Sequence, residues 1–232
     1  MRSLRTSAAV IIFIAISCVL LTSCRGNGSA IEVDVIYCDD QPVFSFTMEE
    51  LIHEYNALYR DSHHEDYLRP KGQWELFKNE ISPFSEKEST YYRFSYDQTV
   101  LTAPTISVYC PAAAQYVSGL TVDFDDHGYS SYLYDVYKEQ CYYSVRALLP
   151  DCSSEAVRQI CDELNALAFD NVQLEGLSAD TIPIVLYHTD SVGVFSHFAI
   201  GDYVRLCIVP VTQEYLIRLE AQGTELHSIS SL

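Results

Sequence analysis

From about residue 31 onward, apolar and polar positions recur in blocks whose period changes several times along the chain. Leu51, Ile52, Tyr55, Leu58 and Tyr59 share one helical face. Thr47-Met48-Glu49-Glu50 ahead of them has the form of a capping box, with Phe46 and Leu51 placed to act as a hydrophobic staple. A helix to about Tyr59 is expected, followed by an exposed loop from Asp61 to Pro70. The period then drops to two. Tyr91 to Tyr96 is aromatic and strand-like. Ile106, Val108 and Cys110 alternate with more polar neighbours, as Leu120, Val122 and Phe124 do with Thr121 and Asp123. These are expected to be half-buried strands, closed by a turn at Asp125-Asp126-His127-Gly128.

Helical spacing returns in Leu133, Tyr137, Cys141, Val145 and Leu148, ahead of the helix-stopping Pro150. Ser153 is suited to cap a second helix whose stripe is Val157, Ile160, Cys161, Leu164 and Leu167. Strand patterns follow at Ile182 to Tyr187, Val192 to Ile200 and Tyr203 to Val211, with Gly201-Asp202 as a hairpin signal between the last two. A short helix is expected near Gln213 to Leu219. The order of helix, strands, two helices, strands predicts an α+β fold with antiparallel sheet packed by helices. One domain over 31–220 is expected, with two lobes split near Pro150 as the alternative. Residues 221–232 form a polar tail expected to fray.

The N-terminus has a different organisation. Arg2 and Arg5 precede the apolar run Ala8 to Leu21, which is 14 residues long, and small residues follow it. This is the layout of a secretory signal, and the run is shorter than the ~20 residues of a relaxed membrane span. Leu21-Thr22-Ser23-Cys24 at its end resembles the lipobox of bacterial lipoproteins: an aliphatic residue, two small residues and a cysteine. That resemblance implies a signal peptide over 1–23, cleavage after Ser23, and a diacylglyceryl group on the thiol of Cys24. It implies an extracytoplasmic domain tied to the membrane. Two acyl chains anchor durably where one is marginal, since each buried methylene contributes ~0.8 kcal/mol. Cys24 to Ala30 then serves as a flexible tether. No family is recognised for the rest of the chain.

Charge narrows the partners. The chain has 14 basic and 32 acidic side chains, a formal net charge of −18. Loss of Arg2 and Arg5 with the leader would make it −20. A surface of this sign disfavours nucleic acid and broad adhesion to anionic lipid. Of the eight cysteines, Cys18 would leave with the leader and Cys24 would carry lipid. Cys38, Cys110, Cys141, Cys152, Cys161 and Cys207 remain, an even number that permits disulfides in an oxidising compartment or, equally, six small buried hydrophobes. None has CxxC spacing, so a structural zinc site is not expected.

No catalytic motif survives inspection. His53-Glu54 invites comparison with HExxH, but position 57 is Ala57. His63, His64, Glu65 and Asp66 are metal-compatible, yet a solvated loop explains them, and a turn explains Asp125, Asp126 and His127. GxSxG, Walker and dinucleotide glycine patterns are absent. No catalytic residue, metal or cofactor is assigned. The remaining unusual feature is tyrosine, present 18 times. Tyr129, Tyr132 and Tyr134 form the candidate binding surface, because closely spaced tyrosines cannot all face inward and tyrosine is enriched in recognition surfaces. Two expectations result. One is a lipid-anchored, non-catalytic binding or envelope-accessory domain for a protein, peptide or glycan. The alternative is an envelope or extracellular hydrolase whose site is assembled from scattered residues.

Overall fold

A computed structural model describes residues 31–85, 87–97, 103–112, 114–125, 130–170, 182–199 and 203–231. The first elements among the described residues are strands β1 (Val35–Cys38) and β2 (Gln41–Phe44), a hairpin with Cys38 opposite Gln41. The two residues between them, Asp39 and Asp40, have φ of 50° and 60°. Positive φ at both central positions is the type I′ arrangement that matches strand twist, and aspartate is among the side chains that tolerate it. Helix α1 (Met48–His63) follows. Its capping box is present in full: Thr47 Oγ1 accepts from the Glu50 amide, and the Glu50 carboxylate accepts from the Thr47 amide at 2.7 Å.

The helix runs a turn beyond the expected end at Tyr59. His63 stacks on Tyr59 with ring centroids 4.0 Å apart, and His64 closes the helix in the left-handed conformation at φ 63°. The expected exposed loop is also only partly exposed. Asn56 is buried, and its side-chain oxygen accepts from the amides of Tyr67 and Leu68 while its nitrogen donates to the Leu68 carbonyl. These bonds turn Leu68 into the core.

Strands β3 (Glu75–Ile81), β4 (Glu88–Ser95), β5 (Thr105–Pro111) and β6 (Gly119–Asp125) follow, then helices α2 (Ser131–Leu148) and α3 (Ser154–Asp170). Ser153 caps α3 through a bond from the Ala156 amide at 3.1 Å. Strands β7 (Val185–His188), β8 (Val192–Ala199) and β9 (Tyr203–Pro210) lead to helix α4 (Gln213–Ala221) and strand β10 (Glu225–Ser228). The stretch expected to fray thus ends in a strand and a short 3-10 turn, Ile229–Ser231. Thr224 holds it with a hydrogen bond to the Pro183 carbonyl at 2.8 Å, and Ile229 is buried. Gly201 and Asp202, the hairpin signal, lie outside the described residues, but the strands beside them do pair, with Ala199 opposite Tyr203.

The fold is α+β. Eight strands make one sheet in the order β10-β7-β8-β9-β6-β5-β4-β3, and β1-β2 is a separate small sheet. Every pairing in the large sheet is antiparallel except β10 with β7. The bond between β6 and β9 joins the two strand runs across the helices, so one sheet spans both sides of Pro150. Alternation along each strand divides the side chains between two faces. Val204, Leu206 and Ile208 enter the larger cluster beneath α1, α2 and α3. Cys207 and Val209 point the other way, into a smaller cluster with Leu186, Phe195 and the α4 residues Leu216 and Leu219.

The strands expected to be half-buried are buried on both faces. Ser107, Thr121 and Asp123 occupy the polar positions of β5 and β6, yet each is at most 9% exposed. Their second face tolerates this because its charges are matched. Asp123 pairs with Arg205 across the β6–β9 junction, and Thr121 Oγ1 donates to Asp123 Oδ2 at 2.9 Å.

Candidate binding cleft

On the second face, beside α4, lies a cleft of about 680 Å³. Its size falls in the range of small-ligand and peptide-anchor sites. Four parts of the fold make it. Phe195 of β8 and Val209 and Pro210 of β9 face it from the sheet. Pro83 and Phe84, from the connection between β3 and β4, form another wall. Phe84 lies so close over Gly119 that a Cβ there would sit 2.5 Å from its ring. That close approach requires glycine at 119 and sets the ring's position at the cleft. The β1–β2 hairpin contributes Tyr37, Asp40 and Pro42, while α4 contributes Glu214, Tyr215, Ile217 and Arg218.

Local chemistry orients these groups. Thr212 caps α4 with its hydroxyl accepting from the Tyr215 amide at 3.2 Å. The Arg218 guanidinium lies over the Tyr215 ring, 5.2 Å from its centroid. Burial pushes the Tyr215 phenol up to about 12, so the ring presents a neutral hydroxyl. Asp40 sits at the second position of the I′ turn, where the backbone leaves it little freedom. Neither Asp40 nor Glu214 has an ion-pair partner among the described residues. Tyr37 and Ile217 at the cleft are 65% and 58% exposed, so apolar surface continues outward from it.

The residues singled out from sequence lie elsewhere. Cys24 and Tyr129 are outside the described residues. Tyr132 is 58% exposed at the start of α2, and its hydroxyl meets that of Tyr96. That bond, with burial second, pushes Tyr96 up to about 12. Tyr134 points inward. Its ring packs on Phe124 and Tyr137, with Lys138 5.0 Å from its centroid. The structure therefore does not bring Tyr132 and Tyr134 to a shared face. Most other tyrosines near α1 and α2 are packing groups: Tyr55, Tyr59, Tyr67 and Tyr143 contact one another in the helix layer.

The histidines diverge too. His53 lines a small cavity with Arg60 and Asp66, and His63 pairs with Glu139 at 3.6 Å. Among the described residues no group of three histidine, cysteine or acidic side chains could hold a metal ion. The six cysteines of the domain are free thiols. Burial pushes Cys110 and Cys161 up to about 12, and raises Cys141 and Cys207 well above the ordinary thiol value. Such thiols are inert as nucleophiles at neutral pH.

Sequence reasoning passed over the residues of the cleft. The one local signal was Asp39-Asp40 between two short apolar runs, which marks the β1–β2 hairpin. No known family model, curated protein or solved structure matches the chain.

Proposed function

We propose that this chain is an exported lipoprotein, held by a lipid on Cys24 at the extracytoplasmic face of a bacterial membrane, whose folded domain binds a partner of the envelope or the exterior without chemical turnover. The Leu21-Thr22-Ser23-Cys24 sequence supports the anchor. Among the described residues, no helix is long and apolar enough to cross a membrane.

The observation that carries the binding role is the cleft itself. Its lining is mostly rings of tyrosine, phenylalanine and proline together with aliphatic side chains. Rigid rings bury a large area at small entropic cost, which is what a recognition site needs. The cleft wall holds neither histidine nor cysteine among the described residues. Its formal charges, on Asp40, Glu214 and Arg218, lie on exposed side chains at the rim.

Site-specific photo-crosslinking in the intact envelope tests the role. A benzophenone side chain at Ile217 is expected to give a discrete adduct, and one at Tyr132 is not. An adduct from Tyr132 alone would move the recognition surface to the tyrosine-rich start of α2. For the anchor, Cys24→Ser is expected to release the protein from the membrane fraction, and full retention would refute lipidation at that residue.

A further inference from the structure

We infer that the cleft takes an extended peptide in which an aromatic or aliphatic side chain is followed by lysine or arginine. This rests on the reading of the domain as a binding module and adds the chemistry of its ligand. Phe84, Phe195, Val209 and Pro210 offer an apolar seat for one side chain. Among the residues lining that seat, Asp40 and Glu214 stand against Arg218, which is laid over Tyr215, while Lys87 near the hairpin is engaged by the Asp39 carbonyl. Both carboxylates are exposed and without ion-pair partners among the described residues, so a cation beside the cleft meets two free acceptors. The acidic balance of the chain, 32 acidic against 14 basic side chains before any leader is lost, adds a long-range field of the same sign. An anionic amphiphile such as a fatty acid would be repelled by both.

Two features suit a chain segment better than a compact molecule. The exposed Tyr37 and Ile217 extend the apolar surface beyond the cavity. The outer edge of β1, the strand that carries Tyr37, has no strand partner among the described residues. An extended chain lying alongside would add a strand at that edge.

The full chain, in nanodiscs of uncharged phosphatidylcholine, is titrated calorimetrically with three blocked peptides. These are acetyl-Phe-Lys-Phe-Lys-amide and the versions with glutamine or glutamate in place of lysine; empty nanodiscs serve as the blank. The lysine peptide is expected to bind about tenfold more tightly than the glutamine peptide at low salt, two exposed ion pairs supplying the difference. The glutamate peptide is expected to be weakest, and the lysine preference to fade as salt rises.

The double variant Asp40→Asn, Glu214→Gln is expected to bind the lysine and glutamine peptides equally. Asparagine tolerates the left-handed backbone at position 40, so the turn is kept, and an unchanged melting curve checks the fold. Ile217→Ser is expected to weaken both peptides alike. Equal binding of the lysine and glutamine peptides by the unaltered chain would overturn the inference, as would a preference that survives the double variant. Failure of all three peptides would overturn the ligand class. If Ile217 still crosslinked a partner in the envelope, the binding role would stand without it.

Discussion

Asp123 and Arg205 face each other across β6 and β9, carboxylate against guanidinium, on the sheet face opposite the three long helices. Their side chains are 11% and 23% exposed. Burial by itself would lower the Arg205 pKa, but the Asp123 carboxylate outweighs it and holds the guanidinium charged. A pair so enclosed is worth less as a stabiliser than the loss of either partner costs. Asp123→Ala is therefore expected to destabilise the protein by about 3 kcal/mol or more, because it strands a buried cation. The double variant Asp123→Ala, Arg205→Met should recover most of that loss. Urea denaturation of the two variants decides it, and equal destabilisation by both would contradict the account.

A second polar contact gives a pH dependence. Tyr187 donates to the Glu163 carboxylate, and Gln159 donates to the same group at 2.9 Å. These bonds favour the ionised form and hold the Glu163 pKa below its ordinary value of 4.5. The folded pKa is thus lower than the unfolded one. The stabilisation is present above about pH 4.5 and fades as pH falls through the lower folded value. Glu163→Gln should be less stable than the parent at neutral pH, and the gap should close in acid. Melting temperatures of both proteins from pH 7 to pH 3 measure this. A gap that stays constant with pH would assign it to packing.

The thiols separate into two classes. Cys38 and Cys152 are half-buried, while Cys110, Cys141, Cys161 and Cys207 are buried. In the native chain only the first two are expected to react promptly with a thiol reagent. After denaturation without reductant, all six should titrate. A shortfall of two would reveal a bridge.

Gly193 lies in β8 with the Val211 side chain against it. A Cβ at this position would come within 2.5 Å of Val211 Cγ1 and 3.2 Å of Leu186 Cδ1. Gly193→Ala is expected to destabilise by about 1–3 kcal/mol through overpacking. Val211→Ala in the same chain should recover part of the loss by clearing the space. Non-additivity of the two changes in a denaturation cycle is the diagnostic.

What local sequence carried, it carried well. The Thr47 capping box, the Ser153 cap, the stop before Pro150 and the alternation of β5 and β6 are all signals between residues a few positions apart, set by backbone and side-chain chemistry within one or two turns. They were enough for the α+β class and for most helices and strands. The edge strand β3 escaped because it is exposed at nearly every position and carries no amphipathic alternation. The four-residue strands β1, β2 and β10 escaped as well; β10, Glu225–Ser228, lies in a polar stretch without an apolar run.

Tertiary structure alone decided the rest. Sheet order depends on which distant strands meet, and no local pattern in β6 names β9 as its partner. The same holds for Thr121 and Asp123, polar by sequence yet buried because Arg205 arrives from 82 positions away. Tyr132 and Tyr134, two residues apart, differ in exposure, Tyr132 being 58% exposed and Tyr134 partly buried against Phe124, through the orientation of one helix against β6. The cleft draws on residues from Tyr37 to Ala221, and only the packing of α4 and the hairpin about the second face brings them together.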